Sequence, residues 1–306
     1  MRAIVIGNVA LDETFAVEAL PQGGESIFGS HRHAGLGGKG ANQAVMLARC
    51  GLSVRLRCAV GDDVASETVR SLLAVEPLTS DLHLVPATAT DRSIILSDAT
   101  GANVIVTTTD CARAMRPRDA LPALDDAGTG DLLVLQGNLT QDVTMALIDA
   151  GRARGMTVVF NPSPTRIWMS EALTRVDLAF LNEAEAELLT GLRGEAAVAA
   201  MLRAGRGIVA LTSGGGGALL GRGDEIVHVP ARPAKVVDTT GAGDTFQSVA
   251  IASAQRRGGP LAVEDLTRAA AATGLAVSRF GSLSAMPSVA EARAILDHPA
   301  MDDRTA

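Results

Sequence analysis

The stretch "KVVDTTGAGDTFQSVAIAS", residues 235–253, places a carboxylate, Asp244, directly behind Gly241, Ala242 and Gly243. Phe246, Val249, Ala250 and Ile251 then recur at helical spacing, so the acid stands at the mouth of a helix. N–H groups at that end lack intrahelical partners and carry the positive end of the helix dipole, which suits a phosphate. Asp244 could simply complement the dipole, a contribution of about 0.3–1 kcal/mol. A cap alone, however, does not need two glycines and an alanine before it. If the amides of Ala242 and Gly243 hold a transferring phosphoryl group, Asp244 lies beside the attacking oxygen and can take a hydroxyl proton.

Three other clusters could do chemistry. In "HAGLGGKGANQA", Gly35, Gly37 and Gly40 stand in GxGxxG order. A dinucleotide fingerprint must follow a buried strand at once, but "GSHRH" comes first, and the first strand-to-helix turn is expected at Gly7. A P-loop fails as well, because Lys39 is followed by Gly40 and His33 occupies the first glycine's place. The stretch is then either a flexible surface loop or a cleared backbone approach from which Lys39 and Asn42 reach a small polar ligand. In "NEAEAELLTG", Asn182 and Glu185 at i and i+3 form a helix cap, or else hold the waters of a Mg²⁺ ion. In "ALTSGGGGALL", Thr212 and the glycines from Gly214 make a hairpin turn or a loop approaching a purine or phosphate.

The elements that position these residues come from a chain of 306 residues, enough for one large α/β domain or two smaller ones. With aromatics at 2% and no Tyr, the core must be Ala, Val, Leu and Ile, and no platform exists for stacking single-stranded bases. A net charge of −7 argues against a nucleic-acid or anionic-membrane partner. Cys50, Cys58 and Cys111, without CxxC spacing, read as free thiols in a reducing cytoplasm. The opening "MRAIVIGNVALDETF" reads as a first strand rather than a signal peptide, and no apolar run is long enough to span a bilayer. The expected location is cytoplasmic.

Strand-like runs ("AIVIG", "DLLVLQ", "MTVVFN", "LAFLN", "GIVALTS") alternate with helical ones ("GANQAVMLARCG", "DVTMALIDAGRARG", "NEAEAELLTG"). In "VRLRCAV", Val54, Leu56, Cys58 and Val60 share one face of a half-covered strand. This rhythm predicts a mostly parallel sheet with helices on both faces. Two segments break it: a polar, loop-rich stretch at about 12–34, and two strands at about 91–107 joined by a turn near Thr100 and Gly101. Both fit a small β-structured lid on a single domain spanning 1–306. The tail "HPAMDDRTA" is expected to fray.

Together these segments resemble the PfkB, or ribokinase-like, family of carbohydrate kinases over nearly the whole chain. "GLGGKGANQA" is similar to the family's N-terminal signature and "DTTGAGDTF" to its C-terminal one; "NPSP" (161–164), "NEAE" and the Thr212–Gly214 turn fall between them in order. The resemblance implies a three-layer α/β/α sandwich with a β-lid, ATP as phosphoryl donor and Mg²⁺ as cofactor. Asp244 would be the base, and Gly241, Ala242 and Gly243 the anion hole. Asn182 and Glu185 would organise Mg²⁺ and phosphates, with Thr212, Gly214 and Gly243 approaching the nucleotide. The sugar would be held by Asp12, Gly38, Lys39, Asn42 and Asp244. A monovalent cation, K⁺, would sit near Asp238, Thr240, Ala276, Arg279 and Gly281, although Ala285 stands where many relatives have serine. Homodimerisation through the lid is common in the family.

Two departures bear on the acceptor. The Gly-Ser-x-Asn-x-Asp opening of ribokinases reads "GNVALD" here, which puts Ala10 at the asparagine position, and Gln136 stands where a sugar-contacting glutamate is expected. Losing hydrogen-bond partners in a sugar site changes discrimination sharply. Ribose, fructose, a deoxy-sugar or a nucleoside such as pseudouridine all fit this reading. The leading expectation is a sugar kinase acting on a primary hydroxyl. Nucleoside kinase and non-catalytic sugar-binding protein are the alternatives.

Overall fold

The structure, a computed structural model, describes residues 1–98, 103–205 and 207–298. The chain begins β1 (Arg2–Gly7), β2 (Ala10–Val17), β3 (Gly29–Gly37), α1 (Lys39–Arg49), β4 (Ser53–Gly61), α2 (Val64–Ala74) and β5 (Thr79–Val85). It continues through β6 (Arg92–Ser97), β7 (Asn103–Thr107), α3 (Asp110–Ala114), α4 (Pro117–Ala120), β8 (Leu132–Gln136), α5 (Gln141–Ala153) and β9 (Thr157–Asn161). Then come α6 (Met169–Leu173), β10 (Leu178–Asn182), α7 (Glu183–Thr190), α8 (Gly194–Ala204), β11 (Ile208–Thr212), β12 (Ala218–Arg222) and β13 (Glu225–Val229). Three helices close the chain: α9 (Ala242–Arg257), α10 (Val263–Val277) and α11 (Val289–Asp297).

The larger sheet has the order β13-β12-β11-β10-β9-β8-β1-β4-β5. It is parallel from β11 to β5, and near one edge only β12 is reversed, running antiparallel to both β11 and β13. Successive residues of its central strands enter two different cores. Ala3 and Val5 of β1 and Leu132 and Val134 of β8 pack with α1, α2, α9, α10 and α11. Ile4, Ile6, Leu133 and Leu135 pack with α3 to α8. A strand covered on both faces has no solvent side, which is why these strands read as unbroken apolar runs. β4 keeps its alternation where Arg55 and Arg57 are half-buried, but Ala59 is buried in the second core, so its far end is covered on both faces. The three-layer α/β/α sandwich expected from the sequence is the fold observed.

A second sheet of four strands has the order β3-β2-β6-β7. Its β2 and β6 run parallel, while β2–β3 and β6–β7 are antiparallel. The expected segments supply it with wider limits: β2 starts at Ala10 and β3 runs on to Gly37. β3 was not expected, because its residues are polar and mostly exposed on a sheet edge. Consequently no strand-to-helix turn lies at Gly7; β1 passes straight into β2, and the first helix follows β3. The expected turn at Thr100 and Gly101 and the tail beyond His298 lie outside the described residues.

Candidate active site

The parallel strands end on one edge of the larger sheet, and β9, β10 and β11 deliver Asn161, Asn182 and Thr212 there. Crevices outside the carboxyl ends of such strands are where open α/β sheets bind ligands. Two cavities open at this edge. One, of about 370 Å³, is lined by Lys39, Asn161, Ser163, Asn182, Glu185 and the run Thr239–Asp244, with Ile105 of the smaller sheet reaching over it. The other, of about 490 Å³, is mostly apolar, walled by Pro230–Ala234 and by Ala270, Thr273, Gly274 and Val277 of α10, with Thr212 and Gly214 at its rim. Thr212, Thr239, Ala242, Gly243 and Phe246 line both, so the first turn of α9 is where the two cavities meet.

That turn is built by backbone conformation. Gly241 caps α9 at φ 75°, the left-handed region, and a Cβ there would come within 3.0 Å of Met286 Cε. Gly243 differs: a Cβ built on it meets nothing within 4 Å, because it faces open space. The Ala242 N–H turns back to the Thr239 carbonyl at 3.2 Å. Among the described residues no protein acceptor takes the N–H of Gly243 or of Asp244. The donor pair expected at Ala242 and Gly243 is therefore shifted one residue along, because the tight turn uses the Ala242 amide to close itself.

Asp244 is 4% exposed yet lines the smaller cavity. Both its oxygens are held from α1: Asn42 Nδ2 donates to Oδ2 at 3.0 Å and Gln43 Nε2 donates to Oδ1 at 2.8 Å. Asn42 Nδ2 also donates to Ser282 Oγ at 2.9 Å, while its Oδ1 is buried without a partner. Lys39, at the start of the same helix, lines the cavity.

The glycines before α1 do not form a flexible surface loop. Gly40 is pressed against the backbone of Asn8, where a Cβ would lie 2.6 Å from the carbonyl oxygen; Gly38 adopts φ 89° against Val9 and Ala10. Gly37 abuts the Asp12 carboxyl group, which would lie 2.0 Å from a Cβ. Asp12 itself is buried, its Oδ1 has no partner, and burial pushes its pKa up to about 6, with the nearby Asp244 charge adding to the rise and a Ser93 hydrogen bond opposing it. A buried carboxyl with an orphan oxygen is a group waiting for a hydroxyl donor.

Asn182 and Glu185 form a reciprocal capping box: Glu185 N donates to Asn182 Oδ1 at 2.8 Å and Asn182 N to Glu185 Oε2 at 2.9 Å. The capping reading thus describes their hydrogen bonds, and both residues still line the cavity that holds Asp244. Gln136 lies away from both cavities. It is fully buried and donates through Nε2 to Gln43 Oε1 at 2.8 Å. Even-numbered residues of β8 face the core of α1 and α9, so the Gln136 Nε2 is spent between helices, while its Oε1 has no partner.

The two segments expected at a cation site are joined by Asp238. Its Oδ1 accepts from Thr240 N and Oγ1, and its Oδ2 accepts from Gly281 N at 3.0 Å. Arg279 does not offer its side chain, which is paired with Glu291, and the Ala276 carbonyl accepts the Arg279 N–H. Among the described residues no three His, Cys, Asp or Glu side chains converge as a metal site. Residues given no role from the sequence also belong here, Asn161 and Ser163 in the smaller cavity and Ser282 on Asn42, while Asn138, just beyond β8, is buried with an orphan Oδ1. "NPSP" was the signal for the first two; no local pattern marks the others.

A family model described as pfkB family carbohydrate kinase matches residues 2–289. The chain belongs to that family. Among similar proteins, a deoxyribokinase of Salmonella typhi is 33% identical over 255 residues, 80% of this kinase and 83% of the relative. A ribokinase of Bacillus subtilis is 29% identical over 296 residues, covering 95% and 98% of the two chains. A solved ribokinase of Arabidopsis thaliana, complexed with ribose and ATP, superposes with a TM-score of 0.81 at 26% identity, over 97% of this kinase and 99% of that chain. No helix among the described residues of the kinase is long and apolar enough to cross a membrane.

Proposed function

We propose that this carbohydrate kinase transfers the γ-phosphoryl group of ATP to a hydroxymethyl group of a small sugar, with Asp244 as base. The observation that carries the reading is that Asp244 lies at the turn shared by an apolar cavity and a polar one, beside two N–H groups without protein acceptors. The larger cavity suits a purine ring, and the rim residues Thr212 and Gly214 suit its ribose and phosphates. A solved relative complexed with ribose and ATP supports a sugar and ATP as the two ligands.

The step is short. Asp244 accepts the proton of the attacking hydroxyl, whose oxygen bonds to the γ-phosphorus as the bond to the β-phosphate bridging oxygen breaks to release ADP. The N–H groups of Gly243 and Asp244 receive the charge of the phosphoryl oxygens. The smaller cavity offers oxygen and amide ligands and no thiol or imidazole, a donor set that fits Mg²⁺. Asn182 and Glu185 would hold that ion through water, and when bound it supplies charge neutralisation for the phosphates. A monovalent cation beside the Asp238–Gly281 clasp would set the first turn of α9. The smaller sheet acts as a lid, Ile105 being its contribution to the cavity wall.

For the acceptor, the buried Asp12 supplies one hydroxyl partner, Ala10 supplies none, and the Nε2 of Gln136 is taken up by Gln43. A pocket with fewer partners fits a sugar with fewer hydroxyls, so 2-deoxyribose is the first candidate, in keeping with the deoxyribokinase relative. Turnover with ATP and Mg²⁺ across pentoses, deoxy-pentoses, hexoses and nucleosides, with and without K⁺, tests the reading. Activity confined to nucleosides would replace it with nucleoside kinase, and no activity on any acceptor would favour a binding protein.

A further inference from the structure

Behind Asp244 lies a chain of three buried glutamines from three separate elements. Gln43 (α1) is fully buried, as is Gln136 at the end of β8, and Gln247 (α9) is 1% exposed. Gln43 Oε1 accepts two amide donors, Gln136 Nε2 at 2.8 Å and Gln247 Nε2 at 3.1 Å. With its oxygen so engaged, the amide of Gln43 has only one orientation, and Nε2 must face the Asp244 carboxylate, where it donates to Oδ1 at 2.8 Å. The Oε1 atoms of Gln136 and Gln247 have no partner. Every amide in the chain therefore spends its donor toward Asp244, and two carbonyl groups are left unsatisfied to do so. Apolar side chains would fill this space between helices without orphan atoms, so stability alone does not explain the arrangement.

We propose that Gln43 is a positioning residue of the phosphoryl transfer. Locked from behind by Gln136 and Gln247, it fixes the Asp244 carboxylate at the edge of the cavity by a directed hydrogen bond. It lines neither of the two cavities described above. This rests on the reading of Asp244 as the base. The adjacent Asn42 holds Oδ2 and shares its donor with Ser282, so Gln43 makes the undivided bond. A carboxylate freed on one side rotates away from the attacking hydroxyl, and small misplacements of a catalytic group cost turnover rather than binding.

The test compares Gln43→Met, Asp244→Asn and the double variant in steady-state kinetics, with folding checked by circular dichroism. Gln43→Met keeps length and loses the donor. Its kcat is expected to fall about 10–100-fold with KM for ATP and sugar within about twofold. In the double variant the Gln43 loss should vanish, because the carboxylate it positions is gone. Should Gln43→Met fold poorly, Gln247→Met removes one of the two locks and is expected to lower kcat about 3–10-fold at unchanged KM. Undiminished kcat in the folded Gln43→Met protein (or in Gln247→Met if that is the variant that folds), or a Gln43 loss that multiplies in full with that of Asp244→Asn, overturns the proposal. Normal turnover in Asp244→Asn alone would instead overturn the base assignment, so the two failures are told apart.

Discussion

The carboxyl group of Asp12 fills the space that a side chain at Gly37 would need: a Cβ there would lie 2.0 Å from Oδ2 and 2.1 Å from Cγ. The glycine at the end of β3 thus makes room for a buried acid on the neighbouring β2. Gly37→Ala is expected to push Asp12 out of place and raise KM for sugar at least about tenfold, with KM for ATP little changed. Initial rates at varied sugar and ATP check this. An ATP-specific effect would show that Asp12 does not hold the acceptor.

Asp12 also imposes a pH signature on stability. Burial raises its pKa from 3.8 to about 6, so the folded chain binds its proton more tightly than the unfolded one. Between those values the folded state carries more protons, and stability falls as pH rises; above about pH 6 the full penalty, about 3 kcal/mol, is present. Asp12→Asn removes that penalty. Thermal unfolding without substrate should give the variant a higher Tm than wild type at about pH 7.5, the gap closing toward about pH 4. The same variant should bind sugar poorly.

Gly243 separates stability from activity. A methyl group there meets no protein atom, and alanine is the better helix former by about 0.5–1 kcal/mol. Gly243→Ala is expected to melt no lower than wild type while kcat falls about 10–100-fold, because the methyl enters the space at the free N–H groups. Melting curves and turnover on one preparation check both halves.

Asp238 clasps the turn before α9 to Gly281 through Oδ2 while Oδ1 holds Thr240. Asp238→Ala should release both segments and abolish any response to monovalent cations. Turnover titrated with KCl at constant ionic strength is expected to rise in wild type and stay flat and low in the variant.

Much of this arrangement is legible in the sequence, and the rest fails for identifiable reasons. β1, β8, β9, β10 and β11 are apolar runs because both faces are covered, and α1 ends where Gly51 adopts φ 92°. "GAGD" announces a helix mouth with an acid beside it, and the acid does stand there, with free N–H groups one residue further on than expected. β3 was hidden because an exposed edge strand carries no apolar alternation. The partners of Gln136 are not legible locally, because it donates to Gln43, 93 residues away, and Gln43 to Asp244, 201 residues away. Local spacing encodes helix caps and strand faces; it does not encode which buried amides meet across the interior.

Asp244→Asn, assayed together for nucleotide binding and for phosphoryl transfer, bears most directly on the whole account. Nucleotide affinity should stay within about threefold of wild type while kcat drops by about 10³ or more, since the amide keeps the shape of the carboxylate and cannot take the proton. Wild-type turnover in that variant would contradict the account.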